Sequence, residues 1–360
     1  MAFLKGIPKY GFGTAFKLGD GEGETSEQDF RKLLRRAIEL GCRHIDCAPL
    51  YGTQRIVGEV LKEFADVVPR TELFITSKLP VNMMQDDHIE RSLRRTLEDL
   101  QLTYVDLFLI HAPFSTQHLS DENIYPIDQE GNLLLDESEG LLESAWTKLV
   151  DLKAKGLTKY IGLSNINLEQ LIRLNHIHQV DVAQNEYHLF YQDREFFDFC
   201  EEIDVHYEAY AAFGCPPKAK RENKPSFLTC PTVQRIAKEY CLTPAQVIIQ
   251  WLHQQPLSYI IRSDTISQLE ENINATHNMT LSINSMIDLD SLNQNARLYL
   301  YDEYQGLTRH REYPFGEIDD HSGAKLDSLE ETSEQIVAQV VSELLVVSEE
   351  APQSEVVLQE

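Results

Sequence analysis

The sequence predicts a (β/α)8 barrel, an α/β fold with long loops at the carboxyl-terminal face of its sheet. Eight short apolar runs recur between Gly11 and Ser263. Several are near-continuously apolar, as strands buried on both faces should be. The segments between them place apolar residues at helical spacing. The competing architecture, a doubly wound open sheet, should carry a G-x-G-x-x-G turn after a strand. Gly11, Gly13, Gly19 and Gly23 lack that spacing.

The elements follow in order. GFGTA (11–15) is the first run. In FRKLLRRAIELG, Phe30, Leu33, Leu34, Ala37 and Ile38 share one helical face, and Gly41 stands where a helix stops. Thr25 and Gln28 offer a capping box before it. HIDCA (44–48) and LFITSKL (73–79) are the second and third runs. Ile89, Leu93, Leu97 and Leu100 form the stripe of the next helix, ahead of VDLFLIH (105–111). YIGLSN (160–165), VAQNEY (182–187) and HYEAYA (206–211) continue the series. Pro244 opens AQVIIQWLHQQ in the first helical turn, a position proline favours, and SYIIRS (258–263) is the eighth run. Two long loops, 112–139 and 212–230, leave the carboxyl ends of the fourth and seventh runs. Barrels of this kind hold their active sites on that face.

The chain has 360 residues and a net charge of −26, from 32 Lys+Arg against 58 Asp+Glu. Such a charge repels nucleic-acid backbones and anionic membranes, so neither is an expected partner. No stretch of about 18 apolar residues predicts a membrane span. The start, MAFLKGIPKYGFG, lacks the long apolar region of a secretory signal, and a cytoplasmic protein is expected. Cysteines at 42, 47, 200, 215, 230 and 241 include no CxxC and read as reduced thiols, with no metal site. The reading divides the chain into a barrel over 1–318 and an acidic tail over 319–360. Residues 317–360 hold twelve acidic residues and one basic, Lys325. There Ile336, Val337, Val340, Val341, Leu344 and Leu345 form an amphipathic stripe, and Ser328 with Glu331 could cap its helix. The stripe suits packing on the chain's own barrel or docking of a protein partner.

The candidate chemistry sits at strand ends. Asp46 ends HID, Tyr51 follows five residues later, Lys78 ends ITSK and His111 ends LFLIH. A lysine among apolar neighbours needs a partner, which Asp46 can supply. A cation beside a phenol favours phenolate and lowers its pKa. A histidine can donate a hydrogen bond to a carbonyl oxygen. Lys78 could instead form a Schiff base, for which it needs a depressed pKa that an adjacent Asp46 opposes.

On these segments the sequence resembles the aldo-keto reductase family. GCRHIDCAPLYGTQRIVGEVL, LFITSKL, YVDLFLIHAP and GLTKYIGLSNIN resemble its signature segments. VAQNEYH, VHYEAYAAFG, TPAQVIIQW, IIRSDTISQLEENI and EYPF follow in family order, over roughly residues 5–316. The resemblance implies a barrel that binds NADPH, with NADH possible, without a Rossmann domain, and reduces aldehydes and ketones to alcohols. It implies Tyr51 as general acid, Lys78 and Asp46 tuning it, and His111 orienting the substrate carbonyl. Ser164, Asn165 and Gln184 match positions that hold the carboxamide, and Tyr210 the ring that stacks on nicotinamide. Arg262, Ser263, Glu271 and Asn272 match positions around the adenosine and its 2′-phosphate.

The departures concern specificity. The usual IPKS reads IIRS, so Arg262 replaces a lysine, and Gln268 stands where many NADPH-preferring members have arginine. Ala15, Pro80 and Ala112 stand where aldose-reducing members carry tryptophan. Ala211 and Ala212 replace the usual Ser-Pro/Ala. The pocket is expected to be wider, or refilled by Phe114, Tyr187, Phe190 and Tyr191. A broad carbonyl reductase is the leading expectation. The alternative is a cofactor-binding, weakly catalytic sensor or interaction protein that uses the acidic tail.

Overall fold

Each apolar run forms a strand: β1 (Tyr10–Gly13), β2 (His44–Asp46), β3 (Phe74–Leu79), β4 (Val105–Ile110), β5 (Thr158–Ser164), β6 (Val182–Glu186), β7 (His206–Tyr210) and β8 (Ser258–Ile261). The computed structural model describes residues 4, 6–214, 227–276 and 280–316. The strands pair in chain order, all parallel, and β8 closes on β1 through Tyr10↔Tyr259 and Gly11↔Ile260. A closed sheet excludes the doubly wound alternative, whose sheet is open.

Most strands stop one or two residues before the apolar runs do. Asn165 after β5 has φ 59° and Ala211 after β7 has φ 63°. That left-handed backbone cannot continue a ladder. Ala15, His111, Asn165, Arg262 and Ser263 therefore lie just beyond strand ends, on the turns that form the mouth of the barrel.

The helices are α1 (Glu27–Glu39), α2 (Gln54–Glu63), α3 (Asp86–Leu100), α4 (Leu141–Ala154), α5 (Leu168–Ile177), α6 (Arg194–Glu202), α7 (Pro231–Tyr240), α8 (Pro244–Gln254), α9 (Ile266–Asn274) and α10 (Ile283–Asp290). The expected stripes of α1 and α3 are buried. The α1 cap is Ser26, not Thr25: the Ser26 hydroxyl accepts from the Asp29 amide at 3.1 Å. Thr25 is instead held in an isolated bridge to Leu18, its amide donating to the Lys17 carbonyl and its carbonyl accepting from the Gly19 amide. Gly41 ends α1 with φ 90°, as expected. Pro244 opens α8 behind a reciprocal box between Thr243 and Gln246.

Trp146, Trp251 and Phe30 fill the layer between strands and helices. Inside the barrel, Ile7, Phe74, Leu107, Leu109 and Val182 form a separate apolar plug. Above the opposite end, the loop after β4 packs on the segment that follows α10, joining Ala112, Phe114, Leu133 and Leu307. Cys42, Cys47, Cys200, Cys230 and Cys241 are free thiols. No helix among the described residues is long and apolar enough to cross a membrane. The expectations for Cys215 and for the tail, including its boundary at 318 and its amphipathic stripe, lie outside the described residues.

Candidate active site

The carboxyl ends of β2, β3 and β4 bring the four candidate residues together. Lys78, 1% exposed, directs its ammonium to both oxygens of Asp46, at 2.6 and 2.7 Å, and to the Cys47 carbonyl at 3.1 Å. Tyr51 ends a short 3-10 turn that Pro49 opens and Gly52, at φ 66°, terminates. Its ring centroid lies 5.1 Å from the Lys78 ammonium. His111 stands edge-on to the Tyr51 ring, 5.7 Å between centroids at 86°.

The electrostatics follow from burial. Burial acts to lower the Lys78 pKa, but Asp46 and then Tyr51 outweigh it and hold it above the ordinary lysine value. Burial also pushes the Tyr51 phenol up to about 12, against the opposing pull of Lys78. Lys78 does pull this pKa down, as expected, but loss of solvent, aided by the Asp46 charge, exceeds that pull, so the net shift is upward. His111 lies well below the usual histidine range, first through burial and then through Lys78, so its imidazole is neutral near pH 7. The ammonium that a Schiff-base lysine must relinquish is here held in its protonated form.

The candidate cofactor residues extend this cluster across β5 to β7. Gln184 donates from its amide nitrogen to Asp46 at 2.9 Å and to Glu208 at 2.8 Å. The Ser164 hydroxyl donates to the Gln184 carbonyl at 2.8 Å. The Asn165 amide donates to the His111 carbonyl at 2.8 Å and to Ser164 at 3.0 Å. The Tyr210 hydroxyl donates to the Asn165 side chain at 2.5 Å. Asn165, an amide-bearing residue that tolerates left-handed backbone, suits this turn.

A second group follows β8. Arg262 is exposed, donates to the Ala15 carbonyl at 3.0 Å and pairs with Asp264 at 3.0 Å. Ser263 is buried and accepts from Asn272 at 2.9 Å. Glu271 accepts from the Thr243 hydroxyl at the start of α8. Gln268 turns back onto the Asp264 backbone amide at 3.0 Å.

The pocket walls differ in part from the expectation. Ala15 is exposed, whereas Pro80, Ala112 and Phe114 are buried. Phe114 packs edge-on against Tyr301 at 5.1 Å. Tyr187 is not a wall: it stacks on Trp251 at 5.4 Å behind the sheet. Its strand neighbours alternate faces, which turns it toward the helices. Phe190 packs on Phe227, and Tyr191 lies under the Arg297 guanidinium at 4.3 Å.

Sequence reasoning missed Tyr125 and Tyr301. Burial raises both phenols well above the ordinary tyrosine range, and each also feels Tyr51, which places them beside it. It also missed Glu186, whose buried carboxylate accepts from the backbone amides of Leu298 at 2.6 Å and Tyr299 at 2.9 Å. That anchor holds the segment carrying Tyr301 over the site. The tyrosine-rich run LYLYDEY was its signal in the sequence.

A profile described as the aldo/keto reductase family matches residues 9–294. The chain belongs to the aldo/keto reductase family. Aldo-keto reductase family 1 member A1 of Sus scrofa is 34% identical over 286 residues, 78% of this chain and 86% of that one. Prostaglandin F synthase 2 of Bos taurus is 34% identical over 319 residues, 86% and 95% of the two chains. Among solved structures, the aldose reductase of Schistosoma japonicum superposes with a TM-score of 0.75 at 30% identity, over 86% of this chain and 96% of that one. This aldo/keto reductase is therefore an oxidoreductase, and the four residues at the barrel mouth, Asp46 and Lys78 buried and Tyr51 and His111 partly exposed, are its candidate catalytic group.

Proposed function

We propose that this chain is a nicotinamide-dependent carbonyl reductase in which Tyr51 is the proton donor. The observation that carries the reading is the Lys78 ammonium, clamped by Asp46 and set against the Tyr51 ring inside the barrel.

The residues present fit a nicotinamide. Both protons of the Gln184 amide nitrogen go to carboxylates, so its carbonyl oxygen remains to accept from a carboxamide N–H. Ser164 and Asn165 stand beside it with further oxygen acceptors, and Tyr210 contributes a ring at the end of β7. A reduced nicotinamide bound here supplies the hydride.

The chain's own groups handle the proton and the oxygen. Tyr51, protonated at neutral pH, gives its proton to the substrate oxygen. Lys78 stabilises the phenolate that remains, and Asp46 keeps Lys78 charged and in place. His111, neutral, is placed to donate a hydrogen bond to the same oxygen. Phe114, Tyr125 and Tyr301 give aromatic walls that suit hydrophobic and aromatic aldehydes.

NADPH is the preferred cofactor in this reading, because Arg262 offers an exposed guanidinium able to take a 2′-phosphate in both its arms. Asp264 competes for that guanidinium, which moderates the preference. The test is a fluorescence titration with NADPH and NADH, then cofactor oxidation on adding an aromatic aldehyde. The expected result is binding and turnover with a higher kcat/KM for NADPH. Binding without turnover across a panel of aldehydes overturns the reductase reading, and a clear NADH advantage overturns the cofactor preference.

A further inference from the structure

Below the four residues at the mouth lies a second carboxylate inside the barrel. Glu208, on β7, is fully buried. One of its oxygens accepts from the Gln184 amide nitrogen at 2.8 Å. The other accepts from the Ser258 hydroxyl at 2.8 Å. Ser258 has a single proton, and it goes to Glu208, so the 2.9 Å contact between Ser258 and His206 Nε2 has the imidazole as donor. His44 Nδ1 stands 3.7 Å from the same carboxylate.

The geometry matters for Gln184. One hydrogen bond, to Asp46, lets the amide group pivot about that bond. Two hydrogen bonds, one from each proton to a different carboxylate, fix the amide plane and therefore the direction of Oε1. A flipped amide is excluded, since it would set Oε1 against two carboxylates. We propose that Glu208 is a positioning residue: with Asp46 it locks the Gln184 amide so that its oxygen faces the nicotinamide pocket. This rests on the cofactor reading above. Glu208 itself touches neither substrate nor cofactor, and it acts through Gln184.

A positioning role and a merely structural one separate in binding. The probes are NADPH and 2′-phospho-ADP-ribose, the fragment without nicotinamide. Glu208→Gln keeps the shape but can donate as well as accept, so the Gln184 amide is no longer held to one orientation. The Kd of this variant for NADPH is expected to rise about tenfold, the loss of one well-aligned hydrogen bond, while its Kd for the fragment stays within about twofold. Glu208→Asp, a methylene shorter, keeps the carboxylate but withdraws it from Gln184, and the same nicotinamide-specific loss is expected if Glu208→Gln does not fold. In a Gln184→Ala background, Glu208→Gln is expected to add no further loss. Equal weakening of both probes, unchanged NADPH binding, or full additivity with Gln184→Ala overturns the proposal. If the wild-type chain binds NADPH no more tightly than the fragment, the nicotinamide reading itself fails and this inference falls with it.

Discussion

Replacing Lys78 by methionine tests the pair on which the site is built. The ammonium makes three hydrogen bonds, two to Asp46 and one to the Cys47 carbonyl, and both side chains are almost completely buried. Its removal leaves the Asp46 carboxylate inside the barrel with the Gln184 amide as its remaining side-chain donor. Breaking a buried pair from one side costs about 3–5 kcal/mol, because the surviving charge has lost both water and partner. Neutralising both sides removes that penalty. The double variant Asp46→Asn/Lys78→Met is therefore expected to be more stable than Lys78→Met alone, with a coupling energy of about 2–3 kcal/mol. Urea unfolding of the wild type, both single variants and the double variant measures this. A Lys78→Met cost below about 1 kcal/mol, as for a surface pair, would refute the reasoning. So would simple additivity of the two substitutions.

Three further outcomes are expected. His206, lowered to about 3 by burial, and His111, also lowered from 6.5, are held neutral in the fold. The unfolded chain then binds more protons below pH 6.5, so the stability these groups contribute is present above pH 6.5. It is lost as pH falls, for His206 down to about 3, at up to about 1.4 kcal/mol per pH unit for each. His206→Gln should flatten that slope in chemical unfolding at several pH values, and an unchanged slope contradicts it. Glu186→Gln loosens the anchor of Leu298 and Tyr299, and should raise KM for aromatic aldehydes several-fold while cofactor Kd stays constant. With the Tyr51 phenol held up to about 12, the carbonyl-reduction rate should stay flat from neutral pH into the mildly alkaline range. A fall beginning near neutrality contradicts the assignment of Tyr51 as the acid.

The barrel was legible because its strands are buried on both faces and its helices on one, so composition and period both report the burial. The grouping of Asp46, Tyr51, Lys78 and His111 was legible because Asp46, Lys78 and His111 stand at the ends of neighbouring apolar runs and Tyr51 follows Asp46 by five residues, so the four together point to one face of the barrel. The cap of α1 was misplaced by one residue because Thr25 is drawn into a backbone bridge that local sequence does not reveal. Tyr187 was misread as a wall because its partner, Trp251, lies on a helix far along the chain. Tyr125 and Tyr301 come from two loops distant in sequence, and only their packing around Phe114 places them beside Tyr51. The sign of the Tyr51 shift depended on how far burial exceeds the pull of Lys78, a balance set by three-dimensional packing.

The most direct test of the central claim is Tyr51→Phe, assayed for NADPH binding by fluorescence and for turnover by cofactor oxidation with an aromatic aldehyde. Lys78 keeps Asp46 and the Cys47 carbonyl in this variant, so the fold and the cofactor site are expected to persist. The account predicts unchanged cofactor affinity with turnover reduced by roughly 100- to 10,000-fold, the contribution of a positioned general acid. Turnover within about tenfold of wild type would contradict it and move the proton donor elsewhere.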